Sequence, residues 1–268
     1  MAEKVNIKIK GHEKFVLRDG WLTKGLITLH NGNTKVFLKD NGPDILGVGT
    51  NMVKAIRYYL QAFDLVDEKP QKGTYLNDLG EAIAANDAYL EDMFTICTLH
   101  SKMASNEAKA TSWYIFFNQS ELTEFTKEEL LGFLKREIFT RYNKEYPDGS
   151  IKDDIDVLLN MYSRVDKNTD PEDKMNCQMS ELGLIEKNGN IYVRKQPDMK
   201  KICIDTILFE LSQLLEGQAS ISIDRIGERL ENLFNISWVQ VNEMLDILDR
   251  EEVIRVDRTA GLDVIYPI

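Results

Sequence analysis

The stretch "GPDILGVGTNMVKAIRYYLQAFDLV", residues 42–66, constrains the fold more than any other part of the chain. Pro43 lacks a backbone N–H and suits a first helical turn, where that donor would have no helical partner. "GVG" at 47–49 reads as a tight turn, and Thr50 is placed to cap a second helix. This is helix-turn-helix punctuation. In the second helix Val53, Ile56, Leu60 and Phe63 recur at steps of three and four, which predicts the buried stripe. Thr50, Lys54, Arg57, Tyr58 and Gln61 then share the opposite face, with side chains suited to phosphates and base edges when a helix lies in a major groove.

The flanking segments extend the pattern. "VDEKPQKGTYLNDLGEAI", residues 66–83, reads as two short strands around a Pro- and Gly-containing connection, followed by a capped helix, the order of a wing. "LRDGWLTKGLITLH", residues 17–30, supplies a preceding helix with Trp21, Leu22, Leu26 and Leu29 for the core. The C-terminus repeats the architecture. Residues 198–217 and 222–234 predict two amphipathic helices, Ser237 caps a third, and "VIRVDRTAGLDVIYP" closes in a hairpin around "TAG". The expected recognition helix there carries Glu243, Asp246 and Asp249, which favours contact with protein over DNA.

Between the two lies a mainly helical middle. Thr126 and Glu129 stand in capping-box spacing before a helix over residues 126–146, "PDGS" makes a turn, and residues 151–165 predict another helix. Residues 166–176 read as a polar loop, and "LGLIEKNGNIYVRK" as a hairpin turning at Asn188-Gly189. The expected fold class is mainly α with small β-hairpins. Winged-helix-like domains at residues 1–120 and 198–268 are joined by a helical region at 121–197.

Charge separates these regions further. The chain has a net charge of −11, yet residues 1–60 hold ten basic against five acidic residues. Residues 61–130 hold five against thirteen, 131–200 twelve against thirteen, and 201–268 six against thirteen. Phosphate contact, if made, belongs to the first 60 residues. No run of about 18 or more apolar residues marks a membrane span, and the start of the chain alternates lysines with apolar residues instead of forming a signal-peptide core. The expectation is a cytoplasmic protein with no membrane contact. Cys97, Cys177 and Cys203, and His12, His30 and His100, are isolated from one another, so neither a disulfide framework nor a structural zinc site is expected.

"GHEKFVLRDGWL", "ILGVGTNMVKAIRYY", "DVLLNMY" and "MSELGLI" together resemble the domain-of-unknown-function family 4007, over about residues 11–268. The resemblance implies a setting beside bacterial DNA phosphorothioation and related modification and defence systems. It assigns no catalytic residues, and Lys14 stands where the family's opening motif is expected to carry threonine.

Several clusters offer chemistry. His12 and Glu13 are the candidate catalytic pair, with Arg18 nearby, although adjacent residues diverge on a strand or a helix and rarely hold one metal together. Pro147-Asp148 with Glu172 and Lys174 imitates a PD…ExK nuclease arrangement, but in a turn and a loop, where coincidence is favoured. Asp153, Asp154 and Asp156 read as helix-start carboxylates, and "LGVG" lacks a nucleotide-loop pattern. The expected function is a DNA-binding component of such a system, using Arg18, Thr50, Asn51, Lys54, Arg57, Tyr58 and Gln61, with no cofactor. Its partners are DNA, other proteins of the system, and a second copy through the C-terminal domain. A strand-nicking subunit, requiring Mg²⁺ or Mn²⁺, and a protein adaptor are the alternatives.

Overall fold

A computed structural model describes residues 6–38, 41–163 and 177–268. The protein is mostly helical, with small antiparallel sheets. At the N-terminal side, α1 (Trp21–His30), α2 (Asn41–Leu46) and α3 (Thr50–Ala62) precede a hairpin of β1 (Val66–Lys69) and β2 (Gly73–Leu76), paired from Val66↔Leu76 to Lys69↔Gly73. Trp21, Leu22, Leu26 and Leu29 are buried, as the spacing predicts. Gly47 turns the chain between α2 and α3 at φ +64, a conformation in which a Cβ is strained. Thr50 does not cap α3: Gly49 holds the cap position in extended geometry, and Thr50 begins the helix. With no side-chain oxygen at the cap, the first-turn N–H groups of α3 receive no capping bond from it.

The following helix, α4 (Asp78–Asn86), is capped by Asn77, whose side chain accepts from the Gly80 N–H at 2.9 Å. Next come α5 (Met93–Ser105) and α6 (Thr111–Gln119), the centre of the molecule. α5 buries residues on every side, among them Ile96, Cys97, Leu99, His100 and Met103, while α6 contributes Trp113, Phe116 and Phe117. His100 joins distant parts of the chain: its Nδ1 meets the Tyr162 hydroxyl at 2.8 Å and its Nε2 the Leu233 carbonyl at 2.7 Å. Burial pushes its pKa down to about 4, so the ring is neutral near pH 7.

Beyond α6, β3 (Glu124–Phe125) leads into α7 (Lys127–Tyr142), whose Thr126–Glu129 capping box forms as expected. α8 (Asp148–Ser163) follows, then the hairpin of β4 (Ile185–Asn188) and β5 (Ile191–Arg194). β3 adds to the free edge of β5, giving the order β3-β5-β4. The expected loop over residues 166–176 lies outside the described residues.

The C-terminal side runs α9 (Ile204–Leu215), β6 (Ile221–Ser222), α10 (Ile223–Phe234), α11 (Trp238–Arg250), β7 (Ile254–Asp257) and β8 (Val264–Pro267), with strand order β6-β8-β7. α9 starts six residues later than the pattern predicts, because Asp198 closes a turn on Lys200 and Lys201 and Cys203 is extended. Ser237 and Gln240 form a capping box for α11. Buried apolar residues from Ile7 to Ile265 form one continuous cluster. No helix among the described residues is long and apolar enough to cross a membrane.

Candidate nucleic-acid interface

The "GHEKF" segment folds as a tight turn in which Lys10, Glu13 and Lys14 all adopt positive φ, at 61°, 53° and 70°. Non-glycine residues in this region cost roughly 1–3 kcal/mol each, so the surroundings must hold them. Asp154, buried on α8, does so. Its Oδ1 accepts from the Lys10 N–H at 2.7 Å and pairs with His12 Nε2 at 2.9 Å, and its Oδ2 accepts from the Ser112 hydroxyl at 2.5 Å. The Lys14 N–H donates to His12 Nδ1 at 3.1 Å. Since Nδ1 accepts, the ring hydrogen sits on Nε2 and is donated to Asp154.

His12 is therefore a fully buried staple with both nitrogens engaged, and neither is open to a substrate or a metal. Glu13 is exposed and lines the cleft formed by this turn and α3. The two were expected as a catalytic pair; the turn separates them, because consecutive side chains in so tight a bend face opposite sides. Asp153 and Asp154 were expected at the helix start. α8 begins at Asp148, which places them beyond its first turn, where Asp153 binds Lys10 at 2.8 Å and Lys14 at 3.4 Å. These lysines outweigh the burial of Asp153 and hold its carboxyl below the usual range.

Tyr58 is the second correction. It was expected on the exposed face of α3, yet it is only 3% exposed, because residues 8–14 fold across it. A Cβ on Gly11 would stand 2.4 Å from the Tyr58 ring, so glycine is what permits this approach. The His12 ring meets Tyr58 edge-on at 5.9 Å and Trp113 at the same distance. Lys8 Nζ sits 5.3 Å from the Tyr58 ring centroid. Helical periodicity shows which residues share a face but not what another segment lays over it.

The turn and α3 together line a cleft of about 450 Å³. Lys8, Lys10, Lys54, Arg57 and Lys109 face it, against Glu13 and Glu68, five bases to two acids. Burial, with Lys109 and Arg57 close by, pushes the Lys8 pKa down. Arg57 forks onto Glu68 of β1 through Nε at 2.6 Å and Nη2 at 2.8 Å. Burial opposes charge on Glu68, but hydrogen bonds from Arg57 and Gln61 prevail and keep its pKa low. Lys54 is exposed and reaches Asn51 Oδ1 at 3.3 Å; Gln61 lines the cleft, and Thr50 and Asn51 lie exposed at the start of α3. Arg18 does not line it: its guanidinium lies over the rings of Phe15 and Trp21 at 5.9 and 5.4 Å. Lys8, Lys10 and Lys109 join the site unannounced; the alternation in "NIKIKG" hinted at the first two, and nothing local marks Lys109.

A family profile described as "Protein of unknown function (DUF4007)" matches residues 9–267. The chain belongs to this family. Among solved structures, a "Magnesium ion-bound SspB crystal structure" superposes with a TM-score of 0.85 at 24% identity, covering 97% of this chain and 83% of that one. A second, "SspB crystal structure", gives 0.82 at 24% identity over the same shares. Similarity at that identity establishes a shared fold. No curated protein matches the chain.

Other candidate groups disperse in this family member. Asp148 pairs with Lys135 at 2.7 Å, and the Glu172 and Lys174 of the nuclease-like pattern lie outside the described residues. Among the described residues no three His, Cys, Asp or Glu side chains are arranged to hold a metal ion. On α11, Asp246 binds Arg258 at 2.6 Å and Asp249 accepts the Val256 N–H at 2.8 Å, while Glu243 is exposed.

Proposed function

We propose that this chain is a DNA-binding component of a bacterial modification or defence system of the phosphorothioation type. Its N-terminal region, residues 1–120, grips DNA as a winged helix, with α3 as recognition helix and β1–β2 as the wing. The observation that carries this reading is the convergence of residues 8–14 and α3 on one cleft with five bases and two acids, in a chain of net charge −11. A concave basic site in an acidic protein concentrates the field where a phosphate enters and repels the duplex elsewhere. Lys8, Lys10, Lys54 and Lys109 meet phosphates. Arg57, whose fork is engaged by Glu68, adds positive charge to the cleft, and Thr50, Asn51 and Gln61 lie where α3 would meet phosphates or base edges.

The C-terminal region, residues 198–268, with its acidic α11, serves contact with other proteins of the system or a second copy, and residues 121–197 join the two. Lys54→Glu combined with Arg57→Glu abolishes retention of a 30-base-pair duplex in a low-salt gel shift; unchanged retention overturns the proposal. Because Arg57→Glu also breaks the Glu68 pair, Lys8→Glu with Lys54→Glu gives an independent check, with the slope of log affinity against log salt falling by about one per lost phosphate contact.

A second reading, a strand-nicking subunit, draws on the magnesium ion in the SspB structure. The described residues do not fit a metal centre of three His, Cys, Asp or Glu ligands, and no step of the proposed function passes through one. Conversion of supercoiled plasmid to open circles with Mg²⁺ or Mn²⁺ and partner proteins would favour this reading.

A further inference from the structure

The C-terminal half of α7 and the start of α8 enclose a second cleft, of about 460 Å³, separate from the one under residues 8–14. Two aromatic side chains line it, Phe139 and Tyr146, among the bases Lys135, Arg136 and Lys144. Phe139 is 52% exposed. The buried apolar positions of α7 are Leu130, Phe133, Leu134 and Ile138, so the core is complete without Phe139. The chain then turns at Asn143, in the left-handed region at φ 50, and Tyr146 rests against the core while lining the cleft. Of the two acids here, Asp148 is bound to Lys135 at 2.7 Å; among the described residues no carboxylate pairs with Arg136.

We infer that this cleft is a subsite for single-stranded DNA, in which an unpaired base stacks on Phe139 and the neighbouring phosphates meet Arg136 and Lys144. An exposed aromatic face among bases suits this ligand because every unpaired base offers a ring face, whereas a base within a duplex offers only its edges. α8 connects this cleft to the turn that lines the proposed duplex site. Asp148 and Ile151 of α8 line the cleft, and Asp153 and Asp154, which hold Lys10, Lys14 and His12, follow about 8 Å further along the helix. Near the end of α7, outside the cleft lining, the Tyr142 hydroxyl donates to Glu107 at 2.7 Å, two residues before Lys109 of the basic cleft. A strand separated from a bound duplex reaches Phe139 along α8. The choice of DNA as the ligand rests on the proposed function; the stacking chemistry does not.

Fluorescence anisotropy with a labelled 20-nucleotide oligothymidylate and a labelled 20-base-pair duplex separates the two sites. Phe139→Ala weakens oligothymidylate binding about tenfold, the scale of one lost stacking partner, and leaves duplex binding and the thermal melt unchanged. Phe139→Trp retains the affinity, and Arg136→Glu with Lys144→Glu lowers it. Wild-type oligothymidylate affinity in Phe139→Ala overturns the subsite. If Lys8→Glu with Lys54→Glu abolishes duplex binding while Phe139→Ala changes neither probe, the duplex reading stands and this one falls. The reverse pattern sinks the duplex reading and keeps the subsite. Failure of the wild-type protein to bind either probe removes both.

Discussion

The two ends of the molecule each run through three helices and then a hairpin, the C-terminal end inserting β6 after its first helix, and they differ in what lies around the third helix. α3 is basic, and residues 8–14 cover its Tyr58 to make a cleft with it. α11 is acidic, has no such covering segment among the described residues, and leaves Val239 68% exposed beside Glu243 and Asp246. The difference teaches that one succession of elements can present helices of opposite charge in different surroundings. At the N-terminal end the covering segment depends on one buried carboxylate from α8.

Removing that carboxylate breaks the comparison most severely. Asp154→Ala leaves buried donors on His12 and Ser112 unpaired and releases three left-handed residues, so urea denaturation should show a loss of about 3–5 kcal/mol. Duplex affinity falls with it, while the acidic face of α11 keeps its own bonds. A native-like melt together with full duplex affinity would mean that the turn holds without Asp154.

Acid attacks the other end. His100 ties α5 to the Leu233 carbonyl of α10, and its proton binds near its ordinary 6.5 in the unfolded chain but near 4 in the native protein. The unfolded chain therefore holds more of that proton between these values, and stability drops as pH falls through them. The contribution is whole above pH 6.5 and lost by pH 4, on the order of 3 kcal/mol. Hydrogen exchange at pH 5 should open α10 before the segment pinned by Asp154, and His100→Gln should flatten this pH dependence. Equal slopes in wild type and variant would remove His100 as its source.

The smallest effect concerns the β1–β2 hairpin. Glu68→Gln removes the negative charge that Arg57 now faces, and duplex affinity should rise a few-fold, within about 1 kcal/mol for a half-exposed pair. A fall would make Glu68 a positioning group for Arg57 instead of a competitor of phosphate.

Local chemistry made much of the fold legible. The capping box at Thr126, the cap at Ser237 and the stripe of α1 depend on residues a few positions apart, and each forms as its spacing predicts; the hairpin expected to turn at Asn188-Gly189 turns one residue later, at Gly189-Asn190, because Asn188 pairs with Ile191. α5 and α6 escaped that reading because a helix buried on all sides has no polar face to give it a period. Tyr58 looked solvent-facing for a related reason: α3 fixes its direction, but a segment 44 or more residues earlier covers it.

The sequence by itself determined the caps at Thr126 and Ser237, which segments close as hairpins, and that positive charge gathers in the first 60 residues, since those properties arise from neighbours along the chain. Only the tertiary structure decided that His12 is a staple, that Lys109 joins Lys8 and Lys54, and that Phe139 stands open beside Arg136 and Lys144. The hydrogen bond between His12 and Asp154 spans 142 residues. No local pattern encodes such a pairing, because a carboxylate takes its partner from whatever the packed core brings within reach.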